Sequence, residues 1–250
     1  MKLPELHPDF LTLPLAHRGL HGREIPENSR AAVLAAISAG YGIELDLQLS
    51  ADGVPMVFHD YNLKRMTGIN GPVQAKTSQQ LKELFLPNGE PVPTLAEILE
   101  LAQGKAPLLL ELKDQDGALG TNIGALEEAT AKLVAPCQGP LALMSFNPHS
   151  VYALANAVPD IPRGLVTDRF YKSDWQLVPE KRLAELRGIP DLDRCGANFI
   201  SHNHKALDMP VIAGIRQSGL PVLCWTIKTP AQEENARKKA DNITFEGYLP

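Results

Sequence analysis

Four short runs carry the residues able to do chemistry, and each lies at or just past an apolar stretch. Glu44-Leu45-Asp46 closes the run GYGIELDL, and Glu111-Leu112-Lys113 closes PLLLELK. In an extended strand, residues two apart share a face. An outward face would meet a helix layer, where two bare carboxylates are costly. An inward face at the carboxyl end of a barrel strand is where catalytic groups gather. Glu44, Asp46 and Glu111 converging there would repel one another and need a cation. All-oxygen ligands suit Mg²⁺ or Ca²⁺. Taken alone, either run also reads as a solvated strand end or an ion pair.

His17-Arg18-Gly19 follows the first apolar strand, and His59-Asp60 follows Val54–Phe58. Histidine exchanges protons near neutral pH. Arginine offers a planar fork to phosphate oxygens. Singly, each histidine also reads as a surface or satisfied core residue. His202 and His204 are expected in a loop, as ordinary imidazoles rather than ligands, because no carboxylate lies beside them. Arg23, Glu24 and Glu27, in the first strand-to-helix loop, are further lining candidates. Trp225 ends the strand PVLCWT and is expected to wall a substrate pocket. Asp168–Trp175 reads either as a lid or as an ordinary loop. There is no G-x-S-x-G elbow, P-loop or G-x-G-x-x-G, which weakens serine hydrolase, NTPase and dinucleotide readings.

These residues need positioning by regular elements. Strands are expected at Leu13–His17, Gly42–Leu47, Leu108–Lys113, Leu141–Phe146, Gly164–Thr167, Ala197–Ser201, Val222–Thr226 and Asn242–Phe245. Helices are expected at Asn28–Ala39, Thr94–Gln103, Ile123–Ala135, Pro148–Asn156, Pro179–Leu186, Met209–Ser218 and Pro230–Lys239. Ser29 and Thr94 supply capping chemistry, the latter as a box with Glu97. Such alternation implies a parallel sheet, closed as a (β/α)₈ barrel, with an open doubly wound sheet as the alternative. Residues 50–93 break the rhythm, with an extra apolar run at Val54–Phe58, Asn-Gly turns and a short helix near Ser78–Phe85. They read as an insertion after the second barrel strand of one domain spanning 1–250.

Length agrees: 250 residues suit one such barrel. The chain is 44% hydrophobic, so it can bury a sizeable core. A net charge of −5 argues against non-specific nucleic-acid binding but not against an anionic small molecule, because a local cation outweighs the global sign. Three cysteines without CxxC spacing give neither a disulfide framework nor a zinc site. No signal peptide or membrane span is legible, so a reducing, cytoplasmic setting without stable membrane insertion is expected.

At these same residues the sequence resembles the glycerophosphodiester phosphodiesterase family. The matching elements, in family order, are His17-Arg18-Gly19, Pro26-Glu27-Asn28-Ser29, Glu44-Leu45-Asp46, Val57-Phe58-His59-Asp60, Pro93-Thr94-Leu95, Glu111-Leu112-Lys113 and Trp225-Thr226. The resemblance implies a TIM barrel with a small insertion after its second strand. It implies one divalent cation on Glu44, Asp46 and Glu111, with His17 and His59 as the acid–base pair and Arg18 and Lys113 on the phosphate. The implied substrate is a glycerophosphodiester, cleaved to sn-glycerol 3-phosphate and an alcohol. Alternatives are a related phospholipase D- or phosphoinositide-type lipase acting on intact lipids, and a non-catalytic phosphodiester-binding barrel. Two positions depart from the family pattern: Ser29 stands where Thr is commoner, and Phe245-Glu246 replaces the usual last-strand Asp.

Overall fold

The computed structural model describes residues 4–250. Its strands are β1 (Leu15–Ala16), β2 (Gly42–Leu49), β3 (Pro55–Val57), β4 (Leu108–Leu112), β5 (Leu141–Ser145), β6 (Arg163–Thr167), β7 (Phe199–Asn203), β8 (Val222–Ile227) and β9 (Asn242–Phe245). All but β3 run parallel, and β1 pairs with both β2 and β9. The sheet is therefore closed into a barrel, and the open alternative is excluded.

Helices follow the strands at Arg30–Ala39, Leu95–Ala102, Ala125–Val134, Pro148–Ala157, Glu180–Leu186, Pro210–Gln217 and Pro230–Ala236. Their starts follow from local chemistry. Ser29 accepts from the Ala32 N–H, Thr94 closes a capping box with Glu97, and Asn147 caps a helix that opens on Pro148.

Side-chain alternation along the strands builds two cores. Ile43, Leu45 and Leu47 of β2 and Leu108, Leu110 and Leu112 of β4 face the helix layer, in the large outer cluster. Leu15, Leu109, Met144, Val166, Phe199 and Leu223 fill the barrel's interior. Glu44, Asp46 and Glu111 lie on the interior-facing alternation, and the register sets Glu44 against Leu109 and Asp46 against Glu111. The carboxylates thus sit above an apolar plug.

Residues 50–93 hold β3, antiparallel to the end of β2, and short helical turns at Lys64–Thr67, Val73–Ala75 and Ser78–Lys82. They enclose a small core of their own, which includes Met56, Phe58, Leu63, Val73 and Leu81. The Phe58 N–H bonds the Asp46 carbonyl at 2.9 Å, which anchors the next residue, His59, beside the mouth of β2.

Three boundaries differ from expectation for physical reasons. β1 is shorter than Leu13–His17, since Pro14 has no N–H for a ladder and Arg18 adopts φ 56°. β7 starts at Phe199 because Ala197 instead closes an unexpected helical turn, Leu192–Cys195, through Leu192 O. The expected loop starts later, after Asn203: β7 continues through His202, and His204 begins a 3₁₀ turn. His202 is fully buried, its ring spanning Thr167 Oγ1 at 2.8 Å and Ala206 O at 3.2 Å. A satisfied core histidine can belong to a strand.

Candidate active site

Glu44 and Asp46 are each 1% exposed and Glu111 7%, at the carboxyl end of the barrel. Their ligating oxygens lie within 4.8 Å of one another. At that separation two carboxylates repel by about 3.5 kcal/mol or more at an effective dielectric of 20. Burial, with Asp46 and Glu111 nearby, therefore pushes the Glu44 carboxyl well above its ordinary range. Asp46 goes the other way. Burial pushes it up, but Lys113, His59, Arg18 and His17 outweigh that and hold it well below the ordinary range. Lys113 Nζ bridges Asp46 Oδ1 at 3.1 Å and Glu111 Oε1 at 2.8 Å. Glu44 Oε1 is buried without a hydrogen-bond partner, an unused lone-pair donor facing this cluster. Three hard oxygen donors, one of them unspent, fit a divalent cation.

The His17-Arg18-Gly19 turn crosses the top of β1. Arg18 N–H donates to Glu44 Oε2 at 3.0 Å, its Nη1 donates to Glu27 Oε1 at 2.8 Å, and its Nε lies 3.4 Å from Asp46 Oδ2. Gly19 makes this turn possible. It takes φ 77°, and a Cβ there would fall 2.7 Å from the Cβ of Ala32, inside the first barrel helix.

His17 Nδ1 is 2.5 Å from Glu246 Oε2, and its Nε2 is 3.9 Å from Glu44 Oε2. Burial lowers the imidazole pKa, outweighing the raising effect of Glu246. Glu246 itself is held far below the usual carboxylate range by its hydrogen bond to His17 and by the nearby His21 ring, with Lys228 adding to them. His59 Nδ1 pairs with Asp60 Oδ1 at 2.8 Å. Asp60 is in turn bound by Arg65, which also clamps Glu27. Each histidine therefore has Nδ1 on a carboxylate, and both rings line one cleft of about 100 Å³.

That cleft brings together His17, Arg18, Glu44, Asp46, His59, Glu111, Lys113 and Trp225. Trp225 Nε1 donates to Ser201 O at 3.0 Å and the ring packs edge-on to Phe146, 5.6 Å between centroids. Phe146 continues the wall to Trp175 and Phe170, so part of the 168–175 loop is an ordered aromatic flank. Arg23 and Glu24 do not join the site. Both are exposed and line a separate surface depression with Met66 and Asn88. Glu27 reaches it indirectly, through Arg18.

Asn28 and His21 escaped the sequence reading of the site, and Glu246 entered it only as a departure from the family pattern. Asn28, at φ 56°, donates from Nδ2 to Asp46 Oδ2 at 2.9 Å and accepts from Asp46 N–H at 3.2 Å, fixing that carboxylate. Its position beside Glu27 in the first loop was a usable signal, absorbed instead into the start of the expected helix Asn28–Ala39. Glu246 stands directly after a strand, the same signal that singled out His17 and His59. His21 has no sequence signal, because its approach to Glu246 (3.6 Å) is purely tertiary.

Known proteins resemble this chain over most of its length. Residues 17–243 match the model of the glycerophosphoryl diester phosphodiesterase family. A Caldanaerobacter subterraneus glycerophosphodiester phosphodiesterase is 31% identical over 231 residues, covering 86% of each chain. A Bacillus subtilis protein provisionally named for the same activity is 28% identical, covering 85% of each. The solved structure of an Oleispira antarctica phosphodiesterase in complex with its product, sn-glycerol-3-phosphate, superposes with a TM-score of 0.76 at 26% identity, over 95% of this chain and 94% of that one. The family match spans the first histidine turn to the last strand of a closed barrel, so this chain belongs to the glycerophosphoryl diester phosphodiesterase family.

Proposed function

We propose that this chain hydrolyses glycerophosphodiesters to sn-glycerol 3-phosphate and an alcohol, with His17 and His59 exchanging the protons and Glu44, Asp46 and Glu111 holding one divalent cation, Mg²⁺ or Ca²⁺. The observation that carries this reading is the placement of two carboxylate-backed imidazoles on one cleft with a buried three-carboxylate cluster. A bound divalent cation offsets charge on the phosphoryl oxygens. With Nδ1–H donated to Glu246 or Asp60, each ring keeps Nε2 for the substrate. One takes the proton from the attacking hydroxyl and the other protonates the departing alcohol oxygen. Arg18, whose guanidinium is kept charged by Asp46, Glu27 and Glu44 despite burial, and Lys113 bind phosphate oxygens. Trp225, with Phe146, Met144 and Val166, presents an apolar wall to the carbon skeleton.

The 50–93 segment is read as an insertion in a single barrel domain, and its catalytic contribution is His59. No helix among the described residues is long and apolar enough to cross a membrane. Cys137, Cys195 and Cys224 are unpaired, which favours a reducing, cytoplasmic setting.

The test is release of glycerol 3-phosphate from glycerophosphocholine and related head groups. His17→Ala and His59→Ala should each lose about 10²–10⁴-fold in kcat with folding intact. Chelation should abolish turnover, and Mg²⁺ or Ca²⁺ should restore it. Retained activity in both histidine variants would overturn the acid–base assignment. Faster turnover on lipid vesicles than on water-soluble diesters would favour the lipase alternative.

A further inference from the structure

A second cluster of possible ligands lies behind the catalytic histidine. His17, His21 and Glu246 each offer one ligating atom, all within 4.8 Å of one another. Two nitrogens and one carboxylate oxygen differ in chemistry from the all-oxygen cluster of Glu44, Asp46 and Glu111. Such a set favours zinc-like transition metals over Mg²⁺ or Ca²⁺. We propose that His17 Nδ1, His21 Nε2 and Glu246 Oε2 form an inhibitory transition-metal site, filled by Zn²⁺ or a similar cation, that removes His17 from proton transfer. The inhibitory part rests on the acid–base reading of His17 given above; the site itself does not.

The geometry needs little rearrangement. Zinc–nitrogen and zinc–oxygen bonds of about 2.0–2.2 Å at a tetrahedral angle put neighbouring ligand atoms about 3.4 Å apart. His21 Nε2 and Glu246 Oε2 are already 3.6 Å apart. His17 Nδ1 and Glu246 Oε2, now at 2.5 Å, must open by about 1 Å, within reach of a carboxylate rotation. His21 Nε2 is buried yet has no hydrogen-bond partner, so its donor capacity is unspent. Lys228 binds the other carboxylate oxygen, Oε1, at 2.5 Å, and at 61% side-chain exposure it can swing into solvent to relieve repulsion. A depression of about 280 Å³, bordered by Gly19, His21, Glu246 and Tyr248, gives a cation an approach outside the catalytic cleft. Three protein ligands leave a fourth, open position for water.

The consequence for His17 is chemical. A metal on Nδ1 leaves the neutral ring's single proton on Nε2, so that nitrogen no longer accepts a proton from a substrate or water. The proton that His17 Nδ1 now shares with Glu246 moves to Nε2 when the cation takes Nδ1, so the neutral ring keeps its one proton and none is released.

The experiment uses the enzyme saturated with Mg²⁺ or Ca²⁺ and adds Zn²⁺ while glycerol 3-phosphate release is followed. The expected result is a loss of turnover of at least 10-fold, reversed by a zinc-selective chelator. His21→Gln and His21→Phe, each measured against its own zinc-free turnover, should raise the half-inhibitory Zn²⁺ concentration at least 10-fold. Co²⁺ added to the same Mg²⁺-saturated enzyme should give the visible absorption of four-coordinate Co²⁺, weakened in both His21 variants. Unchanged zinc sensitivity in both variants, or no additional Co²⁺ bound, would refute the site. Co²⁺ and Zn²⁺ bound through His21 with turnover undiminished would keep the site and refute the acid–base role of His17.

Discussion

Replacing Glu44 by glutamine tests the cation cluster most directly. The amide keeps the shape of the side chain and removes its charge. Glu44 lies within 4.8 Å of both Asp46 and Glu111 at their ligating atoms, so each pair costs about 3.5 kcal/mol or more at an effective dielectric of 20 when all are ionised. A cation reverses that penalty. Loss of one such attraction exceeds the ~2.7 kcal/mol that separates affinities by about 100-fold. At a cation concentration of about 100 Kd, the wild-type protein should gain ~2.7 kcal/mol of stability. For a chain of this size that is a rise in Tm of about 5–11 °C. After a 100-fold loss of affinity the same concentration supplies only ~0.4 kcal/mol, or about 1–2 °C.

The cation-free protein should respond oppositely. Burial and its two acidic neighbours raise the folded-state pKa of Glu44, so its contribution to stability is full below the ordinary glutamate range and fades as pH rises through the raised value. Glutamine removes that slope. Cation-free Glu44→Gln should therefore be at least as stable as wild type at neutral pH. Differential scanning calorimetry with and without Mg²⁺ or Ca²⁺, across pH 4–9, reads both effects, and glycerol 3-phosphate release on the same samples reads turnover. A variant with an undiminished cation-dependent Tm shift and undiminished turnover would refute the three-carboxylate site.

Gly19→Ala should cost about 2–5 kcal/mol, from the left-handed backbone and the 2.7 Å approach to Ala32. Urea unfolding would check this, and a loss under 1 kcal/mol would mean that the turn is not constrained as described. Trp225→Ala should raise KM for glycerophosphodiesters at least several-fold while leaving cation affinity unchanged, because the indole lines the cleft and offers no carboxylate, its one polar atom being spent on Ser201 O. A loss confined to kcat would place Trp225 in the chemistry rather than in the wall.

Much of this protein is settled locally in its sequence. Period-two alternation sends Leu45 and Leu47 to the helix layer and Glu44 and Asp46 inward, because the pleat allows no other division. Ser29, Thr94 and Asn147 start helices by satisfying N–H groups within three residues of themselves. The acidic cluster, the two histidines and Trp225 were readable because each sits at or just past a strand's carboxyl end. What depends on the closed barrel was not. The register that sets Asp46 against Glu111 arises from strand pairing across the sheet. The bond from His17 to Glu246 joins residues 229 apart, and exists only because closure lays β1 beside β9. Asn28 shows the same limit on a smaller scale, since only the folded loop turns its amide onto Asp46 rather than onto its own helix. His202 shows it in reverse: its type suggested a loop imidazole, and packing made it a satisfied part of the core. Local chemistry chose the elements and which faces carry charge, whereas barrel closure, which no short window of sequence contains, chose the partner of each charged group.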